Sequence, residues 1–238
     1  SVTSCCVGLF AHIYNDLMTF TIVFLIAFLA SFGLRHWLAQ RQIRHVAQHR
    51  DSVPADFAEK ITLADHQKAA DYTIAKLRLG ILENGFSAII LIGFTLLGGL
   101  QILNLTLLQL LGEGIAQQIA LLVSIVIISG ILDIPFSWYK QFYLEERFGF
   151  NRMNKKLFFS DMFKGMAVGG AIGIPLLWVI LTLMAKAGDL WWLWAWAVLS
   201  IFSLLMQWIF PTFIAPLFNK FEALEDGPLK TQIEALLS

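Results

Sequence analysis

The sequence predicts an all-α integral membrane protein with five transmembrane helices and a long helical first cytoplasmic loop. Three observations lead there: five apolar runs free of charge, the distribution of Lys and Arg between them, and an apolar-rich, charge-poor composition. The runs are Leu17–Leu34, Asn84–Gly112, Gly114–Leu132, Gly165–Ala185 and Leu190–Asn219, none with Asp, Glu, Lys or Arg and each at least 18 residues long. About 20 helical residues at roughly 1.5 Å each cross a hydrocarbon core of about 30 Å. Hydrophobic residues make up 58% and charged residues 14%, against about 45–50% and 25% in soluble domains. Of the 17 Lys and Arg residues, 16 fall in alternate compartments and Lys186 alone in the others. Basic residues stay on the cytoplasmic side, so the N-terminus is expected outside and the C-terminus in the cytoplasm. A bacterial inner membrane and an endoplasmic reticulum membrane satisfy this rule equally.

In chain order, the expected spans are 17–34, 85–111, 115–135, 165–185 and 191–214, within a membrane domain of residues 1–219. The first run has no basic segment before it and Arg35 behind it, the flanks of a stop-transfer segment and not of a cleaved signal peptide. The chain starts at Ser1 without Met, as a processed or excerpted chain would. Cys5 and Cys6, the only cysteines, give no disulfide framework and read as small apolar residues near the external surface. His12 reads as interfacial, and Asp16 and Asp133 sit at span ends.

The first loop holds two helix signals. Pro54 suits a first turn with Asp51 or Ser52 as cap, and Thr62 followed by Asp65 resembles a capping box. From Leu63 the apolar pattern runs into span two, with Asp65, Lys68, Asp71, Lys76 and Arg78 on the polar face. Gly112-Glu113-Gly114 makes a tight external turn, so spans two and three are expected to pack as an antiparallel hairpin. Gly93, Gly98 and Gly99 in span two could admit a close neighbour. Gly165, Gly169 and Gly173 form a stripe suited to close helix packing, and Pro175 is expected to kink the fourth span. Trp191, Trp192, Trp194 and Trp196 read as an interfacial belt. The third loop, from Asp133-Ile134-Pro135-Phe136 to Asn151, continues as an amphipathic segment, Lys155 to Lys164. Asp226-Gly227-Pro228 opens a last helix with Leu229, Ile233 and Leu236 on one face, read as residues 220–238 of a cytoplasmic domain that is cut short.

The spans avoid central charges, each of which costs roughly 2.5–3.5 kcal/mol, and this argues against a proton-coupled transporter. Asn104, Gln101 and Gln207 remain as polar span residues. There is no G-x-S-x-G, no P-loop and no paired-aspartate diphosphate pattern, and nothing points to nucleic acid. His45 and His49 lie at i and i+4, but Val46 stands where the zinc-protease motif H-E-x-x-H requires Glu. They read as a solvated juxtamembrane face.

Glu145-Glu146-Arg147-Phe148-Gly149-Phe150-Asn151 resembles a signature of the membrane zinc metalloproteases that include the type-I CAAX prenyl proteases. So does Gln207-Trp208-Ile209-Phe210-Pro211-Thr212-Phe213-Ile214-Ala215-Pro216-Leu217-Phe218-Asn219-Lys220-Phe221, with Leu224 and Leu229-Lys230 beyond. Asp71-Tyr72-Thr73 with Lys76 resembles a third block in register. The likeness runs from about residue 15 to the end. It implies the N-terminal part of a seven-helix, chamber-forming protease whose H-E-x-x-H, further Glu ligand and last two spans follow this region. Zinc in the intact protein would polarise the scissile carbonyl and activate water, on peptide or lipidated protein substrates. No position matches a catalytic or zinc residue, so none is carried over, and the chain is predicted to be inactive alone.

The residues the resemblance singles out are therefore architectural: Tyr72, Lys76, Glu145, Glu146, Arg147, Phe148, Gly149, Phe150, Asn151, Pro211, Pro216, Phe218 and Asn219. Pro211 and Pro216 are expected to break the cytoplasmic end of span five. Phe218 and Phe221 are expected to pack beneath the missing protease domain, and Glu145, Glu146, Arg147 and Asn151 to fasten the third loop to it. The competing readings are a non-enzymatic scaffold or transporter-like subunit sharing the fold, and a partner that presents substrates to another protease.

Overall fold

The computed structural model describes residues 2–57, 59–218, 227 and 235, and of residues 2–17 and Asp56 the backbone only. Among the described residues there are helices and turns and no strand. Among the described residues, five helices are long and apolar enough to cross a membrane: Met18–Gln48, Leu63–Thr95, Ile115–Phe148, Lys155–Lys186 and Gly188–Phe218. The chain forms two compact units. One comprises Ser1–Thr106 with Ile125–Arg152, the other Leu107–Ser124 with Met153–Ser238.

Helix α1 runs Val2–Gln48, 47 residues, about 70 Å and more than twice the hydrocarbon thickness. A 3-10 turn, Ala55–Phe57, follows Pro54 where the sequence suggested a helix start. Helix α2, Leu63–Thr95, begins on the capping box read from the sequence: the Asp65 N–H donates to Thr62 Oγ1 at 3.1 Å. The Thr62 hydroxyl in turn donates to Asp65 Oδ2 at 2.6 Å. α2 then continues from the polar segment into the apolar run, and α1 packs along it.

The second apolar run is not one helix, as spans drawn from hydropathy alone implied. α2 stops at Thr95, and α3 occupies Gly99–Leu111. The Leu96 and Leu97 N–H groups both donate to the Ile92 carbonyl, and Gly98 turns the chain with φ of +79°. Gly99 follows so tightly that an added Cβ would lie 2.8 Å from the Gly93 carbonyl oxygen. Helix α4, Ile115–Tyr139, starts after the expected turn at Gly112–Gly114; the Phe86 and Phe136 rings, at the far ends of the two spans, lie 5.0 Å apart, while α3 and α4 themselves have no extended close approach.

The third loop is also different from its reading. Pro135 lies inside α4, which passes into a π-turn, Lys140–Leu144, and a last helical turn α5, Glu145–Phe148. Only residues 149–154 are irregular before α6, Lys155–Lys186, so the amphipathic segment is the first third of that helix. α6 runs on through Pro175. A Cβ at Gly165, Gly169 or Gly173 would meet no atom within 4 Å, so the small-residue stripe is not used for close packing.

In the second unit, α6 packs with α7, Trp191–Ile209, after a 3-10 turn at Gly188–Leu190. Pro211 does not end this helix. A π-turn, Phe210–Ile214, carries it into α8, Ala215–Phe218, which contains Pro216. In the interior of an α-helix, proline loses one hydrogen bond and clashes with a carbonyl one turn back. In the wider turn the Ala215 N–H reaches back five residues to Phe210 O, and the Thr212 hydroxyl donates to Trp208 O at 2.8 Å. Asn219, Lys220, Phe221 and the helix expected after Asp226 lie outside the described residues, except for Gly227 and Ala235.

Few side chains are buried. Among the described residues the buried apolar ones are Ala70, Leu79, Leu144, Phe148 and Ala195, while long stretches of Phe, Leu, Ile and Trp are exposed. Exposed apolar surface on this scale marks a membrane-contacting protein, since lipid tails are as apolar as leucine and helices in lipid need no hydrophobic sealing. The chain is an integral membrane protein.

Candidate functional site: a clasp at the helix ends

Four of the five buried apolar residues, Ala70, Leu79, Leu144 and Phe148, lie on the polar-segment half of α2 and at the end of α4. These parts lie beyond the apolar runs, so burial from water stabilises them in the ordinary way. Tyr72 is the centre of the packing. Its ring meets Phe148 edge-on at 5.3 Å and Phe150 at 4.9 Å, and its hydroxyl donates to Glu145 Oε1 at 2.6 Å. Lys76, one turn along α2, holds its ammonium 5.9 Å from the Tyr72 ring, and Lys68 sits 5.6 Å above Phe150. The hydrogen bond to Glu145, helped by desolvation, pushes the Tyr72 phenol above its usual range, so it stays a donor.

The backbone turn that presents these rings depends on Gly149, in the left-handed region with φ of +77°. The Gly149 N–H donates to Glu146 O, and the Phe150 and Asn151 N–H groups donate to Glu145 O. This is a glycine-terminated helix cap. It turns Phe148 inward and brings Asn151 back over the π-turn. There Gln141 Nε2 donates to Asn151 Oδ1 and Asn151 Nδ2 donates to Glu146 Oε2, both at 2.6 Å. Arg147 lies 5.6 Å from the Phe148 ring.

A second fastening joins the end of α1 to α2. Arg50 grips Asp71 with Nε to Oδ1 at 2.7 Å and its second terminal nitrogen to Oδ2 at 2.8 Å. It also reaches Asp51 at 3.0 Å, which takes a further bond from Gln67. The Arg50 hydrogen bonds, then its charge and that of Arg147, hold the Asp71 carboxyl below its usual range. Asp71 raises the Arg50 guanidinium further above its already high value. Because the folded Asp71 pKa is depressed, this contribution to stability is present above the unfolded carboxylate pKa and is lost as pH falls through the folded value.

The clasp thus gathers Tyr72, Lys76, Glu145, Glu146, Arg147, Phe148, Gly149, Phe150 and Asn151 from two separated sequence blocks. Glu145 accepts from Tyr72 of α2, and Asn151 links Gln141 of the π-turn to Glu146. Pro211, Pro216 and Phe218 lie in the other unit. There Lys164 of α6 donates to the Leu217 carbonyl at 3.1 Å and sits 6.0 Å from the Phe218 ring. It also pairs with Asp161 at 3.5 Å, an acid whose Oδ1 is buried without a hydrogen bond. Sequence reasoning missed Arg50, Gln141 and Lys164. Their partners lie 21, 10 and 53 residues away, and no local pattern signals such pairs.

The described residues do not suit a zinc ion. No group of three or more His, Cys, Asp or Glu side chains is placed to hold a metal. The His45 and His49 rings lie 4.4 Å apart, tilted by 43°, and His49 Nδ1 is within hydrogen-bond distance, 2.9 Å, of the His45 carbonyl. Two imidazoles, one of them engaged, fall short of the three protein ligands of a catalytic zinc site.

Comparison with known proteins gives a consistent result. A family model described as CAAX prenyl protease N-terminal, five membrane helices, matches residues 42–220. The CAAX prenyl protease 1 homolog of Caenorhabditis elegans is 33% identical over 203 residues, covering 84% of this chain and 45% of that protein. CAAX prenyl protease 1 of Saccharomyces cerevisiae is 30% identical over 220 residues, covering 87% and 48%. The crystal structure of S. mikatae Ste24p superposes with a TM-score of 0.80 at 30% identity, over 88% of this chain and 50% of that one. The chain spans about half the length of the relatives it matches. With three quarters of its length inside the family model, the chain belongs to the CAAX prenyl protease N-terminal family of five membrane helices.

Proposed function

We propose that the chain is the membrane part of a zinc metalloendopeptidase of the CAAX prenyl protease type, acting as a whole on prenylated or membrane-associated polypeptides. The family match over residues 42–220 carries this reading. The zinc ligands and the general base belong to the remainder of such a protein. Residues 1–219 serve as its membrane domain, and 220–238 lead into the protease domain. The chain's own residues act architecturally: the Tyr72 and Arg50 fastenings fix the helix ends, Pro211 and Pro216 aim the end of span five toward the protease domain, and Phe218 packs beneath that domain.

Two measurements test this. The purified chain, supplied with zinc and a farnesylated peptide, is expected to show no cleavage above background; zinc-dependent cleavage by the 238 residues alone overturns the assignment of the ligands. The coding sequence after Ser238 is expected to continue in frame to an H-E-x-x-H. A stop codon there would support the non-enzymatic scaffold instead.

The basic-residue count supports an N-terminus in the lumen or periplasm and, in the cytoplasm, the loops after spans one and three, in an endoplasmic reticulum or bacterial inner membrane. In a Cys5→Ser, Cys6→Ser background, Glu113→Cys is expected to react with an impermeant maleimide added outside intact cells or inside the lumen. Lys60→Cys is expected to react only from the cytoplasmic side. Both side chains are exposed, and the reverse labelling pattern would invert the topology.

A further inference from the structure

Between α2 and the end of α4, within one compact unit, lies a cleft of about 430 Å³, a size typical of small-ligand sites. Its lining is graded along the helices. On α2, Leu82 lies next to the apolar run that starts at Asn84, and Arg78 one turn farther out. On the other wall, Pro135 and Phe136 lie nearest the apolar run, followed outward by Tyr139, Tyr143 and Arg147. Both walls therefore pass from apolar, nearest the membrane, to a guanidinium at the outer end, with two stacked tyrosine rings 4.9 Å apart between them on one wall. No carboxylate lines the cleft. Of the acids nearest the outer end, Asp71 is engaged with Arg50, Glu145 with Tyr72 and Glu146 with Asn151, while Glu83 and Asp133 stand at the membrane end, beside Leu82 and two residues before Pro135. Arg78 has no hydrogen-bond or ion-pair partner among the described residues. Arg147 has only its contact with the Phe148 ring and the longer-range attraction of Asp71. The cleft is open to entry, since Leu82 and Tyr143 are 65% and 59% exposed.

We infer that this cleft is a binding site for an anionic phospholipid, its phosphate between Arg78 and Arg147 and an acyl chain along Leu82 and Phe136. The gradient matches an amphiphile lying at the membrane surface with its headgroup outward. Two unpaired guanidiniums at the outer end select a net negative headgroup, and the tyrosines suit the glycerol and ester level. A soluble anion would find the charge but gain nothing from the apolar half. This inference does not rest on the proteolytic reading.

The test is native mass spectrometry of the purified chain in detergent, titrated with phosphatidylserine or phosphatidylcholine of identical acyl chains. Phosphatidylserine is expected to bind about tenfold tighter, and Arg78→Gln with Arg147→Gln to bring the two lipids to parity. Arg147 also touches Phe148, so Arg78→Gln alone must reduce the preference as well, with an unchanged melting temperature. Lys186→Gln, remote in sequence on α6, is expected to leave it intact. Equal affinity for both lipids overturns the inference, as does a preference that survives the double substitution. Displacement of the lipid by millimolar inorganic phosphate would reassign the cleft to a free anion and would equally overturn it.

Discussion

Phe148→Ala is expected to destabilise the first unit by about 3 kcal/mol, the lower part of the range for emptying a buried phenylalanine site. The expectation rests on position more than on residue type. Phe148 is 8% exposed, lies beyond the apolar runs where water enforces burial, and packs against the Tyr72 ring. Phe150 touches the same ring but is half exposed, so Phe150→Ala is expected to cost about 1 kcal/mol. Tyr72→Phe keeps both ring contacts and removes only the hydroxyl bond to Glu145, also about 1 kcal/mol. Thermal or denaturant unfolding of the detergent-solubilised chain, followed by tryptophan fluorescence, gives the ranking. A Phe148→Ala loss no larger than that of Phe150→Ala would mean that the clasp is not the packing nucleus of this unit. A Tyr72→Phe, Glu145→Gln double-mutant cycle should show coupling, because the two groups share one short bond.

The membrane character and the approximate positions of the spans were legible because the bilayer imposes a coarse rule: charge is excluded over about 20 residues. The Thr62 cap was legible because capping is local, written in residues three apart. What could not be read was whatever depends on geometry within an apolar or helical stretch. Pro135 reads as part of a loop and Pro211 and Pro216 as breaks, yet each sits within helix or π-turn. In two of the long helices a five-residue turn of wider pitch precedes a final α-turn, Lys140–Leu144 before α5 and Phe210–Ile214 before α8. Proline at Pro211 is compatible with that wider turn, whereas no proline marks the turn at Lys140. Nothing in composition separates the two cases from an ordinary helix end. The glycine stripe of α6 has the spacing of a packing motif but open space beside it, since spacing describes one helix and packing needs two. The signature Glu145–Asn151 was recognisable as a block, but its partners were not. Tyr72 is 73 residues from Glu145, and only the fold brings the two blocks together.

The break between α2 and α3 allows a sharper test, since the surrounding run is free of charge throughout and gives hydropathy little to detect. Gly99→Ala is expected to be the most damaging single-methyl addition in this run. The new Cβ would lie 2.8 Å from Gly93 O and 3.2 Å from Phe94 Cα. Both are backbone atoms, which no side-chain rotation can clear, and relief requires shifting the break itself, at about 2–3 kcal/mol. Gly98→Ala meets no atom but places an L-residue at φ of +79°, a cost of about 1–2 kcal/mol. Asparagine, which tolerates the left-handed region, should recover part of that loss at position 98 and none at position 99. Gly93→Ala is the control: its Cβ has open space and ordinary helical geometry, so it should be neutral or slightly stabilising. The order Gly99→Ala, Gly98→Ala, Gly93→Ala in melting temperature is therefore set by two separate causes, steric at 99 and torsional at 98. If all three variants melt together, the run Asn84–Gly112 behaves as the continuous helix its hydropathy suggests. If the order holds, two adjacent glycines decide where a charge-free span bends.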